Sequence, residues 1–181
     1  KQNGVIMFYS MIIPVYNRPE DIREVLEGLV QQTYTQFEII VVESGSTVKS
    51  DEVVAEFQNQ LDVQYAPTGN HGQGFSRNYG MKQAKGDYFI ILDSDIIIPP
   101  DYLKHVHEGI QQKKLDAFGG PDRAHSSFTP VQKAVDFALT SLLTTGGTRG
   151  MKRSAGKYFP RSFNMGFSRK VYEATDGYRL P

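Results

Sequence analysis

The 181 residues carry 20 Lys and Arg against 20 Asp and Glu, a formal charge of zero, with 39% hydrophobic and 22% charged residues. These are the values of a chain that buries one domain's core, which excludes wholesale disorder, and a Cys count of 0 excludes a disulfide framework, a thiolate nucleophile and thiolate-bound zinc. No run approaches the roughly 20 apolar residues of a spanning helix, and no small-residue cleavage site follows a long apolar stretch near Lys1–Ser10, so the chain is expected not to cross a membrane.

The β-branched and aromatic run from Met7 to Val15 reads as a buried strand that enters a loop at Tyr16-Asn17-Arg18-Pro19. Ile22, Val25, Leu26, Leu29 and Val30 then recur at helical spacing, with Asp21 and Glu24 near the end where the helix dipole favours anions. Phe37 to Val42 is a second strand, and the polar turn Glu43-Ser44-Gly45-Ser46-Thr47 leads to a helix carrying Val53, Val54 and Phe57. Val63 to Tyr65 is a short third strand, 69–74 is a loop, and Phe75 to Lys85 reads as a helix ended by Gly86. Tyr88 to Leu92 is the most apolar strand and runs into Asp93-Ser94-Asp95. Pro99-Pro100-Asp101 opens a helix through about Gln112, and Asp116 to Gly120 is strand-like. Strands alternating with helices in this way imply an α/β fold with a mostly parallel, Rossmann-like sheet and helices on both faces.

Beyond Pro121 the pattern loosens: Phe128 to Leu143 reads as an amphipathic helix, Thr144 to Gly156 as a loop, Ser162 to Ser168 as a strand and Arg169 to Ala174 as a short helix. Arg149 to Arg179 holds eight basic and two acidic residues, so the neutral average hides a basic C-terminal region suited to phosphate-bearing ligands or anionic lipid.

In an open parallel sheet, ligands bind beyond the carboxyl ends of the strands, which singles out Tyr16-Asn17, Glu43-Ser44, the loop before Arg77-Asn78 and Asp93-Ser94-Asp95. Residues two apart in extended chain point to the same side, so Asp93 and Asp95 can converge on one hard cation, Mg²⁺ or Mn²⁺. Such a cation bridges carboxylates to phosphate oxygens and stabilises a departing diphosphate as a Lewis acid. Turn and cap chemistry is the plainer use of Asp-x-Asp, but Asp95 lies several residues before the helix start at Pro100-Asp101 and is poorly placed to cap it. In Gly72-x-Gly74-x-x-Arg77, Arg stands where a dinucleotide fingerprint has its third Gly; Arg77 either reaches a phosphate or base, or is solvated at a helix start. Gly146-Gly147-Thr148-Arg149 reads as a coincidental likeness to a nucleotidyltransferase loop, and His105 and His107 face different directions on their helix. His71, His125 and Asp122 read as ordinary loop and turn residues.

Ile12-Ile13-Pro14-Val15-Tyr16-Asn17-Arg18, Gln32-Thr33-Tyr34, Phe37 through Thr47 and Ala84 through Asp95 together resemble the family 2 glycosyltransferases. Ser162-Phe163-Asn164-Met165-Gly166-Phe167-Ser168-Arg169 followed by Gly177-Tyr178 is similar to that family's later Asn-Met and Gly-Phe-Asp segments. The resemblance implies a GT-A fold, a nucleotide-diphosphate sugar donor with UDP-sugar favoured, Mn²⁺ or Mg²⁺, and inversion at the anomeric carbon. It further implies that Pro14, Val15 and Tyr16 line the nucleotide pocket, that Glu43 and Ser44 face the base or ribose, that Arg77 reaches the nucleotide, that Asp93 and Ser94 meet the ribose or metal, and that Asp95 holds the metal. Where the family usually has Asp-Asp, Glu43-Ser44 lengthens one carboxylate and removes the other.

On this reading, 1–120 is the donor-binding half and 121–181 the start of the acceptor-side half, with the catalytic base in a segment beyond Pro181. The expected acceptor is a hydroxyl of a glycan or lipid-linked molecule, with peripheral membrane contact, a cytoplasmic location at or near the inner membrane face, and no nucleic-acid partner. A nucleotide-sugar binding module without turnover is the alternative, and a sugar nucleotidyltransferase a more distant one, because no glycine-rich loop follows the first strand.

Overall fold

Strand formation follows the apolar runs. In the computed structural model, which describes residues 6–120, 129 and 164–179, β1 (Tyr9–Val15), β2 (Phe37–Ser44) and β4 (Tyr88–Leu92) are almost wholly buried. Continuous apolar strands of this kind are stable only with both sheet faces covered. The elements between them are α1 (Pro19–Val30), α2 (Asp51–Phe57), β3 (Val63–Thr68) and α3 (Gln73–Gln83), and after β4 come α4 (Tyr102–Lys113), β5 (Ala117–Gly119), β6 (Asn164–Ser168) and α5 (Arg169–Thr175).

The sheet order is β3-β2-β1-β4-β6-β5, with β1, β2, β3 and β4 parallel and β6 antiparallel to both β4 and β5. Alternate residues of each strand face opposite ways. Tyr9, Met11, Ile13, Ile39, Val41 and Ile90 pack with the apolar sides of α1, α2 and α4, while Ile12, Ile40, Val42, Phe89 and Ile91 pack with Met81 of α3 and Val171 and Tyr172 of α5. This is the mixed, mostly parallel three-layer fold that the alternation of elements implies.

Three boundaries differ from the sequence reading. Glu43 and Ser44 are the last residues of β2 and not the turn after it, because β3 extends to Thr68 and pairs with both. Helix α3 starts at Gln73 and ends at Gln83, where Ala84 is already extended, so Gly86 does not cap it. The absence of a side chain at Gly86 serves close packing: a Cβ there would stand 2.5 Å from Ser10 Oγ and 2.8 Å from Phe8 O. Below that contact, buried Glu38 accepts from Ser10 Oγ at 2.6 Å and from the Lys85 amide, fastening the α3–β4 connection to the sheet.

The readings at 128–143, 144–156, His125, Asp122 and 146–149 lie outside the described residues, as does most of the basic stretch before Asn164. Among the described residues no helix is long and apolar enough to cross a membrane.

Candidate functional site

The carboxyl ends of β1 and β2 lie in register, Val15 opposite Glu43, so the loops that follow them emerge side by side. Asn17 joins them. Its backbone adopts a positive φ of 53°, and its Oδ1 accepts from the Thr47 amide at 2.8 Å, the Thr47 hydroxyl at 3.1 Å and the Val48 amide at 3.0 Å. Its own amide donates to Ser46 Oγ at 2.8 Å, and Ser46 in turn donates to Glu43 Oε1. The other Glu43 oxygen accepts from the Ser50 amide at 2.8 Å, so this carboxylate, 2% exposed, is engaged on both oxygens in shaping the loop. Ser44, also buried, shares a hydrogen bond with Ser76 Oγ, which ties β2 to the first turn of α3. Tyr16 stands beside this network with half its surface exposed, above buried Val15 and partly buried Pro14.

Across the sheet end, β4 stops at Leu92, and Ser94-Asp95 form a turn. The two carboxylates are therefore carried by that turn and not by the pleat of an extended strand, Asp93 facing Arg77 and Asp95 facing Arg18. Burial raises the Asp93 pKa from the usual carboxylate range, Arg77 opposes the rise, and the nearby negative charge of Asp95 adds to it. Arg77 Nη2 lies 3.4 Å from Asp93 Oδ1 and 3.3 Å from Gln73 Oε1. The arginine side chain is 7% exposed, and its Nε has no partner among the described residues. That rules out the solvated helix-start reading of Arg77: the guanidinium is buried, with one N–H unpartnered among the described residues and two long contacts. Asp95, exposed, accepts from Arg18 Nη1 at 2.7 Å, and Arg18 also approaches Asp21 at 3.5 Å. Ser94 is buried between the two carboxylates in sequence.

The structure thus brings Asp93, Ser94, Asp95 and Arg77 to one sheet end, and sets Pro14, Val15, Tyr16, Glu43 and Ser44 at the neighbouring β1–β2 end. Among the described residues no group of three or more His, Asp or Glu side chains is arranged to hold a metal ion. His107 is no candidate ligand: its ring packs on Tyr34 at 4.6 Å and its Nδ1 bonds the Tyr9 hydroxyl at 2.9 Å, at the opposite end of β1. Asn17 and Asn78 fall in the segments the sequence singles out, and Arg18 and Tyr178 in segments that carry the family resemblance, but the sequence alone assigns none of the four a role.

Comparison with known proteins gives a consistent result. Residues 10–175 match the model of "Glycosyl transferase family 2". The poly(ribitol-phosphate) β-N-acetylglucosaminyltransferase TarS of Staphylococcus aureus is 33% identical over 187 aligned positions, covering 92% of this chain and 33% of that protein. An uncharacterised glycosyltransferase of Rickettsia typhi is 37% identical over 105 positions, covering 58% of this chain and 32% of the relative. The crystal structure of TarS 1–349 with UDP superposes with a TM-score of 0.72 at 25% identity, over 94% of this chain and 49% of that one. Mannosyltransferase PcManGT of Pyrobaculum calidifontis, in complex with GDP-Man and Mn²⁺, superposes with a TM-score of 0.69 at 19% identity, over 96% of this chain and 48% of that one, and shares the fold. This chain therefore spans less than half the length of these relatives. With a six-stranded GT-A sheet, a matching family model over most of its length and relatives of the same class, the chain belongs to glycosyl transferase family 2.

Proposed function

We propose that this chain is the donor-binding part of an inverting, metal-dependent glycosyltransferase that moves a sugar from a nucleoside-diphosphate donor to a hydroxyl of a glycan or lipid-linked acceptor. The observation that carries the reading is buried Arg77 beside the half-buried Asp93 carboxylate, two residues before Asp95, at the end of β4 in a family 2 chain. UDP-N-acetylglucosamine is the first donor to test, because TarS, which is named for N-acetylglucosaminyl transfer, has been crystallised with UDP and with UDP-GlcNAc.

The residues fit a hard divalent cation. Asp93 and Asp95 offer an all-oxygen set, and Asp93 is a carboxylate whose charge is disfavoured by burial and relieved by any added positive charge. Mg²⁺ or Mn²⁺ held there would supply Lewis-acid stabilisation of the leaving diphosphate. Arg77 would bind an anionic part of the nucleotide. The exposed Tyr16 ring offers a face for the base, and the Asn17–Ser46–Glu43 network fixes the loops around it, so little ordering remains when the nucleotide enters.

Thermal unfolding with UDP, GDP or CMP, each with Mn²⁺ and again with EDTA, tests the donor site. A nucleotide at 100 times its Kd adds about 2.7 kcal/mol of stability. The expected result is a metal-dependent rise in Tm with UDP that disappears in Asp95→Ala. No rise with any nucleotide in the presence of metal would overturn the reading.

A further inference from the structure

We propose that Tyr178 is a positioning residue for Arg77, and that the Gly177-Tyr178 segment thereby forms a wall of the donor site. The inference rests on the nucleotide reading above and adds a residue to it. Three contacts carry it. The Arg77 guanidinium lies over the Tyr178 ring, 5.5 Å from its centroid. Asn78, the next residue of α3, closes a two-bond clamp on the same segment: its Nδ2 donates to Tyr178 O and the Tyr178 amide donates to its Oδ1, both at 2.8 Å. The Tyr178 hydroxyl donates to Met165 Sδ at 3.1 Å, which fixes the ring against β6.

The clamp depends on Gly177. Its φ is +77°, and a Cβ at that position would stand 2.5 Å from Asn78 Oδ1, so both the backbone conformation and the hydrogen-bonding oxygen require glycine there. Tyr178 is consequently held across 100 residues of sequence against one turn of α3. This bears on Arg77 because its other contacts do little to orient it. The Gln73 and Asp93 oxygens are at 3.3 and 3.4 Å, long for hydrogen bonds, and Nε has no partner among the described residues. An aromatic ring beneath a guanidinium restrains it without using any of its N–H groups, so those remain available to an anion. Tyr178 thus orients Arg77, and the Arg77 N–H groups receive the nucleoside diphosphate.

Calorimetric titration of the chain with UDP and Mn²⁺ tests this, using Tyr178→Phe, Tyr178→Leu, Arg77→Met and the Arg77→Met/Tyr178→Leu pair. Tyr178→Phe keeps the ring and is expected to bind within twofold of the parent. Tyr178→Leu is expected to weaken binding about five- to tenfold, the range of a partly desolvated cation–π contact, and to add nothing in the Arg77→Met background. Unchanged binding in Tyr178→Leu, or equal losses in both backgrounds, would overturn the proposal while leaving the donor reading intact. A parent chain that binds no nucleotide overturns the donor reading and this proposal with it.

Should Tyr178→Leu not fold, the parent chain decides. The Arg77 Nε–H resonance is expected upfield from ring current, slow to exchange, and displaced on adding UDP with diamagnetic Mg²⁺. A solvent-like resonance that UDP leaves unmoved overturns the proposal.

Discussion

His107 sets a pH dependence remote from the candidate site. Burial lowers its pKa from the ordinary 6.5, with Glu108 pulling weakly the other way, and the Tyr9 hydroxyl lies 2.9 Å from its Nδ1. The folded state therefore binds fewer protons than the unfolded chain between the folded value and about pH 6.5, so stability rises with pH across that interval and is lost as pH falls through it. In the protonated ring Nδ1–H donates to the Tyr9 hydroxyl oxygen, so the contact keeps a donor and an acceptor and the pH dependence comes from burying the charged imidazolium. Tm is expected to fall between pH 7.5 and 5.5 more steeply in the parent than in His107→Gln; identical slopes would refute the assignment. At this scale the sequence reveals residues whose chemistry shows in their own type and spacing, such as Asp93 and Asp95. It does not reveal Arg18 on Asp95, 77 residues apart, or Asn17 on Thr47, 30 apart, because those partners are chosen by which loops the sheet brings together.

Among the elements, α3 is the most constrained, since it carries Arg77 and Asn78 on a helix pressed against β1 and β2. Gly80 permits that approach: a Cβ there would stand 2.6 Å from Ile12 Cγ2 and 2.9 Å from Val42 Cγ2, methyls on stiff β-branched residues of buried strands. Helix propensity alone favours Gly80→Ala by up to about 1 kcal/mol. Overpacking against a rigid sheet costs about 1–3 kcal/mol and outweighs it. Urea denaturation is expected to show a net loss of up to about 2 kcal/mol, together with weaker UDP binding as Arg77 shifts; a gain in stability would mean that α3 can move outward freely. The strands were readable because full burial leaves them uniformly apolar, and α1 because its apolar stripe is regular. The bounds of α3 were not, because its buried side includes Ser76, Arg77 and Gly80, which carry no hydrophobic periodicity.

For the molecule as a whole, the parallel half of the sheet follows from the alternation of strands and helices, whereas the position of β6 does not. It enters from residues 164–168 between β4 and β5, antiparallel to both, and the sequence contains no local sign of that long-range pairing. Its consequences reach both ends of the sheet. Phe167 and Tyr172 cover Phe89 with ring centroids at 6.0 and 5.2 Å, and Arg169 lies over the same ring at 4.9 Å while donating to Gly86 O and Ala84 O, each at 2.9 Å. Tyr178 then reaches Arg77. Residues 6–120 thus contain the loops that follow β1, β2 and β4 but not the strand that pairs beside β4. A chain ending at residue 163 leaves β4 with an open edge and an uncovered apolar face, the condition under which sheets aggregate. By circular dichroism in urea it is expected to lose the cooperative transition of the full chain, or to precipitate, even though every residue on the β1, β2 and β4 loops is retained. A cooperative transition at the full-chain midpoint would show instead that the parallel half folds alone and that β6 docks onto a finished sheet.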